Sequence, residues 1–163
     1  MAEVHRLFVN MHCHNTPTHT LLNTNPDADI ILVQEPWFDR IGTACLDVNP
    51  DRVDVLGGVA NPKWDCIYPK IASGKCCKVM AYQRISSSFF NVTNRFDLAS
   101  NHHFLTVDIH CGFSLFCIVN IYHDTDYPSS LRNILNLELD PCIPTVVGGD
   151  FNTHAHVWSP PGI

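Results

Sequence analysis

The chain lacks the long apolar runs that mark a membrane or secreted protein. None of the apolar runs in its 163 residues approaches the ~20 residues that a membrane-spanning helix needs. The N-terminus also lacks the long apolar core and the cleavage site of a signal peptide. We therefore expect an intracellular protein, nuclear or cytoplasmic, that is not secreted and has no membrane partner.

The chain also lacks a recognisable cysteine framework. Its eight cysteines include no C-x-x-C pair and show no disulfide-like spacing, so most are expected to be small core residues in a reducing compartment. Histidines cluster at residues 12–14 and 154–156. Structural zinc sites need four ligands at recognisable spacings, which these clusters do not supply. The sequence therefore argues against both a disulfide scaffold and a structural zinc site.

Charged residues are few, and they are unevenly distributed. With 45% hydrophobic and 16% charged residues the chain is of the globular type, and its length fits one domain over residues 1–163. The formal charge of −6 argues against a generally basic nucleic-acid coat, yet residues 63–95 hold six cations and one acid. Such a segment suits a phosphate backbone, although an ordinary solvated face accounts for it equally well. The six cations are Lys63, Lys70, Lys75, Lys78, Arg84 and Arg95.

Short strands with turn signals between them dominate the pattern. Residues 104–122 form the clearest hairpin, because apolar and polar residues alternate before the turn at Gly112. Helices are predicted at 18–24 and after an N-cap at Ser129 or Ser130. The apolar stripe of the second helix consists of Leu131, Ile134 and Leu135. Strands are predicted at 6–11, 29–33, 52–56, 66–68, 78–85, 104–111, 115–122 and 143–147.

Residues 145–154 carry the most informative pattern in the chain. An apolar strand runs into two glycines and then presents Asp150 and Asn152, with Phe151 between them. Because side chains alternate across an extended backbone, we expect the carboxylate and the amide to share a face while Phe151 anchors the other. The same residues are also typical of a turn, in which Asp and Asn bond to the local backbone.

Other polar side chains stand at the ends of apolar strands, where a rigid sheet can carry reactive groups. Glu35 and Asp150 are hard oxygen ligands suited to Mg²⁺ or Mn²⁺. Asn10 and Asn152 can hydrogen-bond a phosphate or a water without adding charge. The sequence therefore indicates a metal and phosphate site. The strand-end residues are Asn10, Gln34, Glu35, Tyr122, Asp150 and Asn152.

Taken together in this order, four motifs resemble the endonuclease/exonuclease/phosphatase superfamily. Within this superfamily, the residues around two of the motifs are most similar to the endonuclease domains of non-LTR retrotransposons, particularly those of fungal elements. These residues are Gln34-Glu-Pro-Trp37 and Gly149-Asp-Phe-Asn-Thr-His154 with Trp158. The resemblance runs from about Arg6 to the last residue. The four motifs are Val9-Asn10, Leu32-Val-Gln-Glu35, Asn120-Ile-Tyr122 and Gly149-Asp-Phe-Asn152.

The resemblance implies an α/β (α+β) fold, a DNase I-like layered β-sandwich of mixed and antiparallel sheets flanked by helices. It implies that Glu35 binds a catalytic Mg²⁺ or Mn²⁺ with support from Asn10, and that Asp150 lies at the metal and activates the attacking water. It further implies that Asn152 contacts the scissile phosphate and that Tyr122 hydrogen-bonds the phosphate or aids the leaving group. The implied reaction nicks one DNA strand and leaves a 3′ hydroxyl for a reverse transcriptase domain in the parent element.

The sequence departs from this family at several positions. Members of the family end with a Ser-Asp-His segment whose histidine contacts the phosphate, and no such segment follows Asn152 here. Positions 12 and 125, where relatives often have Asp or Asn, are His and Thr. We therefore expect a domain over residues 1–163 that is incomplete at its C-terminus, lacks the last strands, and is weak or inactive as a nuclease. The alternatives are a phosphatase of the same superfamily and a non-catalytic nucleic-acid-binding remnant.

Overall fold

The structure is a computed structural model that describes residues 4–46, 49–71, 75–86, 90–98, 101–124 and 135–152. Within these ranges the chain forms ten strands and one helix, and no helix there is long and apolar enough to cross a bilayer. The helix is α1 (Asn15–Thr24). The strands are β1 (Arg6–Asn10), β2 (Ile30–Gln34), β3 (Asp39–Leu46), β4 (Asn49–Gly57), β5 (Trp64–Ile67), β6 (Val79–Arg84), β7 (Phe90–Asn94), β8 (Phe104–Cys111), β9 (Ser114–Tyr122) and β10 (Thr145–Asp150).

The strands form two four-stranded sheets and a two-stranded ribbon. The first sheet has the order β1-β2-β6-β5, with β1 and β2 parallel and the other neighbours antiparallel. The second has the order β10-β9-β8-β7, with β10 and β9 parallel and the rest antiparallel. The ribbon consists of β3 and β4. The prediction of mixed and antiparallel sheets with few helices is therefore confirmed.

All five residues of β2 are buried, which places this strand at the centre of the packing. Ile31 and Val33 pack in one apolar cluster with Leu22 of α1. Ile30 and Leu32 pack in a second cluster with residues of β8 and β9. Because successive side chains of a strand point to opposite faces, a continuous apolar run can fill two layers at once. The first sheet is therefore sandwiched between α1 and the second sheet.

The other face of the second sheet is covered by chain that precedes β10. Phe104, Val119 and Ile121 form a third apolar cluster, against which Leu139 and Ile143 pack. The residues of β8 from 104 to 109 are consequently buried on both faces, although polar side chains alternate along this strand.

Several sequence predictions can be compared directly with these elements. The hairpin at 104–122 is confirmed, because β8 and β9 pair antiparallel and close with Cys111 opposite Ser114. The structure begins α1 three residues earlier than predicted, extends the strand predicted at 52–56 into the longer β4, and shifts the last strand from 143–147 to β10. The sequence analysis did not predict β3 or β7. The helix predicted after Ser129 or Ser130 falls mostly outside the described residues, and Leu135 of its apolar stripe is exposed.

Backbone hydrogen bonds between loops join the two sheets along one edge. Glu35, which follows β2, donates its N–H to the carbonyl of Lys78 over 2.9 Å, and Lys78 donates to the carbonyl of His102 over 2.9 Å. Because His102 lies ahead of β8, the second bond connects the first sheet to the second. On the other side, His123 after β9 donates to the carbonyl of Asp150 over 2.7 Å. Strand ends from both sheets are thereby held at the same edge.

The two glycines near the end of β10 allow a close approach that no other residue permits. A Cβ at Gly148 would lie 2.5 Å from the ring of Phe8, which sits on β1 of the other sheet. A Cβ at Gly149 would lie 1.9 Å from the carbonyl oxygen of Ile121, and the residue has a φ of +146°. The double glycine therefore lets β10 approach both its parallel neighbour and the opposite sheet.

Replacing Gly149 with alanine should therefore destabilise the fold strongly. We expect a loss of about 3 kcal/mol or more, because a backbone clash adds to the cost of the positive φ. The matched control is Gly112→Ala, since Gly112 also has a positive φ, +59°, but has nothing within 4 Å of its Cβ position. That variant should lose only about 1–2 kcal/mol. Urea unfolding of both variants measures the difference, and equal losses would contradict the close-approach argument.

Candidate active site

Four of the residues predicted for the site lie at adjacent strand ends. Asn10 ends β1 and is level with Gln34 at the end of β2, which Glu35 follows. Asp150 ends β10 and is level with Tyr122 at the end of β9. Both pairs of strands are parallel, so their carboxyl ends meet at the same edge of each sheet. The topology therefore assembles the site from two parallel pairs, one in each sheet.

Side-chain hydrogen bonds then join these ends across the two sheets. Asn10 donates from Nδ2 to Oδ2 of Asp150 over 2.6 Å, and the Tyr122 hydroxyl donates to Oε1 of Glu35 over 2.6 Å. Each bond pairs a carboxylate of one sheet with a neutral donor of the other. The structure thus brings Asn10, Glu35, Tyr122 and Asp150 together, as their order along the chain predicted.

Asn152 is placed differently from the prediction. The strand ends at Asp150, and Asn152 has a left-handed φ of 41°. The alternation of side chains along an extended strand therefore does not determine the direction of the Asn152 side chain. Instead its N–H donates to Oδ1 of Asp150 over 3.1 Å, and its Nδ2 donates to the carbonyl of His123 over 2.9 Å. The turn interpretation of Gly-Asp-Phe-Asn is therefore correct, and the extended one is wrong. Phe151 does pack against the third apolar cluster, as expected.

Backbone strain is concentrated at this edge. Within the described part of the chain, the non-glycine residues with a positive φ are Glu35 (45°), Asn152 (41°), His12 (46°) and Cys13 (60°). Each such conformation costs on the order of 1–3 kcal/mol and persists only where the surroundings hold it. Here they do, because Cys13 donates its N–H to the carbonyl of Glu35 over 2.7 Å and His12 donates to Oδ1 of Asn10 over 2.9 Å. The side chains of the site are therefore held in place by the rest of the fold.

His12 contacts the carboxylate that the sequence assigns to the metal. Its Nδ1 lies 3.2 Å from Oε2 of Glu35, and the two side chains are 74% and 18% exposed. The sequence analysis considered His12 in a histidine cluster and as a departure from the family pattern, but it did not predict this contact.

A buried pair of amides lies directly behind the carboxylates. Asn120 on β9 is fully buried; it accepts a hydrogen bond from Nε2 of Gln34 and donates from Nδ2 to the carbonyls of Val33 and Met80, each over 3.1 Å. Both Asn120 and Gln34 stand in motifs that the sequence identified, but neither was given a role in joining the sheets. A fully polar amide inside an otherwise apolar strand was the signal that could have revealed it.

A basic and an aromatic side chain lie beside the Tyr122 ring. The ammonium of Lys78 lies 5.3 Å from the centre of the Tyr122 ring, and the ring of His103 stacks on it with centroids 6.3 Å apart. Burial, followed by the hydrogen bond to Glu35 and nearby negative charge, raises the pKa of Tyr122 above its usual value. The phenol is therefore a neutral donor at physiological pH. Burial also lowers the pKa values of His102 and His103, so both imidazoles favour the neutral form.

Comparison with known proteins supports the fold that these contacts suggest. No protein-family model matches the chain, and no curated protein matches its sequence. Among solved structures, the endonuclease domain of TRAS1, a telomere-specific non-LTR retrotransposon, is similar with a TM-score of 0.65 at 16% sequence identity. The chain has a DNase I-like fold. The match covers 96% of this chain and 62% of the matched chain, so the chain spans less than two thirds of that endonuclease domain.

The six cations that the sequence suggested for DNA contact do not form one surface in this fold. We call the edge of the sheets where Glu35 and Asp150 lie the carboxylate edge. Lys78 directly precedes β6 at this edge, and Lys75 and Lys70 are exposed in the chain leading to it. Lys63 precedes β5, whose first residue pairs with Arg84 at the other end of β6. Since six residues of strand span about 20 Å, Lys63 lies well away from the carboxylates.

The two arginines are engaged in internal contacts, so they do not suit the DNA-contacting role predicted for them. Arg84 donates to the carbonyls of Ala28 and Asn25, each over 2.8 Å, and its guanidinium lies 4.4 Å from the centre of the Trp64 ring. The guanidinium of Arg95 pairs with Asp97 and Asp108 over 2.7 and 2.8 Å, and these contacts raise its pKa.

The candidate site offers carboxylate oxygens, the donor type that Mg²⁺ prefers. The described residues contain no group of three or more His, Cys, Asp or Glu side chains placed to hold a metal, so a fully protein-enclosed site is not formed there. Magnesium, however, is commonly held by one or two carboxylates and keeps several waters. Each oxygen of Glu35 has a contact to one neighbour, and an ionised carboxylate offers about four lone-pair sites. The donor set therefore fits an ion that remains partly hydrated.

Replacing Asn120 with leucine should reveal how much the buried amides stabilise the fold. We expect Asn120→Leu to lose about 1–3 kcal/mol, because the Gln34 amide is left unsatisfied in the core. Adding Gln34→Leu should recover part of that loss, since it removes the unsatisfied amide. Asn91→Leu on β7 is the control, because Asn91 is exposed and should change stability by at most about 0.5 kcal/mol. Additive losses in a double-mutant cycle of Gln34 and Asn120 would refute the coupling.

Proposed function

We propose that the chain is a phosphodiesterase of the DNA-nicking type, dependent on Mg²⁺ or Mn²⁺. The observation that carries the proposal is the convergence of Glu35 and Asp150, one from each sheet, at one edge of an endonuclease fold. The endonuclease domain that the chain resembles comes from a retrotransposon. A reverse transcriptase that extends the nicked 3′ end is therefore the partner that we propose within the same element.

The contacts of each side chain suggest its role. Glu35 would hold the ion, and Asp150 would orient the attacking water near it. Asn10 acts through Asp150, because its Nδ2 bonds to that carboxylate and its Oδ1 accepts from the backbone. The Asn152 amide has a second N–H with which to contact the phosphate. Tyr122, held neutral, would turn its one O–H from Glu35 to a phosphate oxygen or to the leaving oxygen.

The reaction would be an in-line attack of water on the phosphorus of a DNA phosphodiester. When bound, the ion supplies charge neutralisation for the phosphoryl oxygens. The carboxylates of the site are already oriented, since neutral amides and a phenol donate to both of them. Groups that are fixed in this way need little reorganisation during the reaction.

We further propose that the 163-residue chain nicks DNA slowly. In the described part of the chain, the Asp150 carboxylate is contacted by the amides of Asn10 and Asn152, not by an imidazole. The family resemblance implies a histidine at the phosphate, and no Ser-Asp-His segment occurs in this sequence. Loss of one such stabilising donor typically lowers the rate by about 10²–10³.

Conversion of supercoiled plasmid to the nicked form measures this activity. We expect slow nicking with Mg²⁺ or Mn²⁺, suppression by EDTA, and a loss of about 10²-fold or more in Glu35→Gln, which retains the shape but removes the charge. Glu138→Gln is the control, because Glu138 is exposed and takes no part in the site. Nicking that survives EDTA or Glu35→Gln would overturn the metal-dependent mechanism. Phosphate release from inositol phosphates without nicking would instead favour the phosphatase alternative.

The position of Lys78 predicts a DNA contact that Lys63 does not make. Lys78→Ala should weaken duplex DNA binding severalfold. It should also reduce the slope of log K against log salt concentration by about one, since one phosphate contact is lost. Lys63→Ala should leave both quantities unchanged, because Lys63 lies at the opposite end of the strands. Fluorescence anisotropy at several salt concentrations gives both values. Equal effects of the two substitutions would show that DNA does not approach along the carboxylate edge.

A further inference from the structure

His12 is the residue at the carboxylate edge whose contact has no role in the mechanism above. Its Nδ1 lies 3.2 Å from Oε2 of Glu35, on the side away from Tyr122, which occupies Oε1. The imidazole is 74% exposed, whereas the carboxylate is 18% exposed. An imidazole nitrogen thus stands at the open side of the acid that is proposed to hold the metal.

We propose that His12 is a ligand of the ion held by Glu35, and that the site consequently takes a divalent transition-metal ion such as Mn²⁺ in preference to Mg²⁺. This inference rests on the proposed function, because it requires Glu35 to bind the ion. It goes beyond that function by adding a protein ligand and by selecting between the two metals.

The spacing of the two atoms is suited to one shared ion. Metal–ligand bonds in such sites are about 2.0–2.2 Å long. Two ligands at right angles on one ion then lie about 3 Å apart, and the observed separation between Nδ1 and Oε2 is 3.2 Å. An ion can therefore bridge His12 and Glu35 with little movement of either side chain.

The chemistry of the donors favours a transition metal. Magnesium prefers oxygen ligands and releases its waters reluctantly, whereas imidazole nitrogen suits the first-row transition metals. One carboxylate oxygen and one imidazole nitrogen leave most coordination positions for water and a phosphate oxygen. That open arrangement agrees with the lack of any larger group of metal-binding side chains among the described residues.

Hydrogen bonds fix the main chain at both ligands before an ion arrives. The N–H of His12 donates to Oδ1 of Asn10 over 2.9 Å. The next N–H, from Cys13, donates to the carbonyl of Glu35 itself over 2.7 Å. Ligands that are fixed by surrounding hydrogen bonds bind metals more selectively than mobile ones.

Pulsed EPR of Mn²⁺ bound to the full chain tests the inference directly, because it detects ¹⁴N coupling from a coordinated imidazole. We expect the coupling in the wild type, its loss in His12→Asn, and its retention in the control His19→Asn, where the histidine is exposed on α1. Asparagine tolerates a left-handed backbone, so His12→Asn is compatible with the φ of 46° at this position. Circular dichroism of the variant verifies that it is folded.

Calorimetric titration adds the selectivity. Mn²⁺ affinity should fall roughly tenfold or more in His12→Asn, while Mg²⁺ affinity changes less than about twofold, since Mg²⁺ gains little from nitrogen. Mn²⁺ that binds in a Glu35-dependent manner without ¹⁴N coupling, or with coupling that survives His12→Asn, would overturn the inference and leave the proposed function intact. If Glu35→Gln binds both metals as tightly as the wild type, the proposed metal site is wrong and the inference is wrong with it.

Discussion

A buried pair of amides, Gln34 and Asn120, determines how the two sheets meet. Asn120 uses its carbonyl and both of its N–H groups on the opposite sheet. Since an unsatisfied amide in an apolar core costs about 1–3 kcal/mol, other registers of the two sheets are disfavoured. The residue after Gln34 is Glu35, and Tyr122 lies two positions beyond Asn120. The buried amide pair therefore also fixes the relative positions of Glu35 and Tyr122 at the carboxylate edge.

Neutral groups orient both carboxylates of the site. An amide bonds to Asp150, and a phenol bonds to Glu35. A lysine or arginine in either place would offset the charge of the carboxylate that it positioned. The ammonium of Lys78 lies over the Tyr122 ring instead, 5.3 Å from its centre. The proposed chemistry requires two acids that can attract a mobile cation, and the neutral donors are consistent with that requirement.

The sequence indicated which side chains meet at one edge of the sheets, and it was less informative about the outer parts of the fold. Glu35 and Asp150 could be grouped because both were polar residues at strand ends and both stood in motifs of the family resemblance; the structure brings them to one edge. The hairpin at 104–122 was equally accessible, since local alternation and a turn define it. Asn152 was misplaced because the end of a strand depends on backbone conformation, which alternation does not reveal. The contact of His12 with Glu35 joins residues 23 positions apart, and only the folded chain shows it.

The left-handed residues at the carboxylate edge also bear on how this protein can change. Cys13 and His12 both adopt conformations that glycine accepts at no steric cost. Glycine at Cys13 would relieve strain and stabilise the fold, whereas at His12 the same gain would remove a side chain that reaches Glu35. Selection for stability alone would therefore favour glycine at these two positions before it favoured changes in the sheets. The edge is the place where the chain would give up stability for the proposed chemistry.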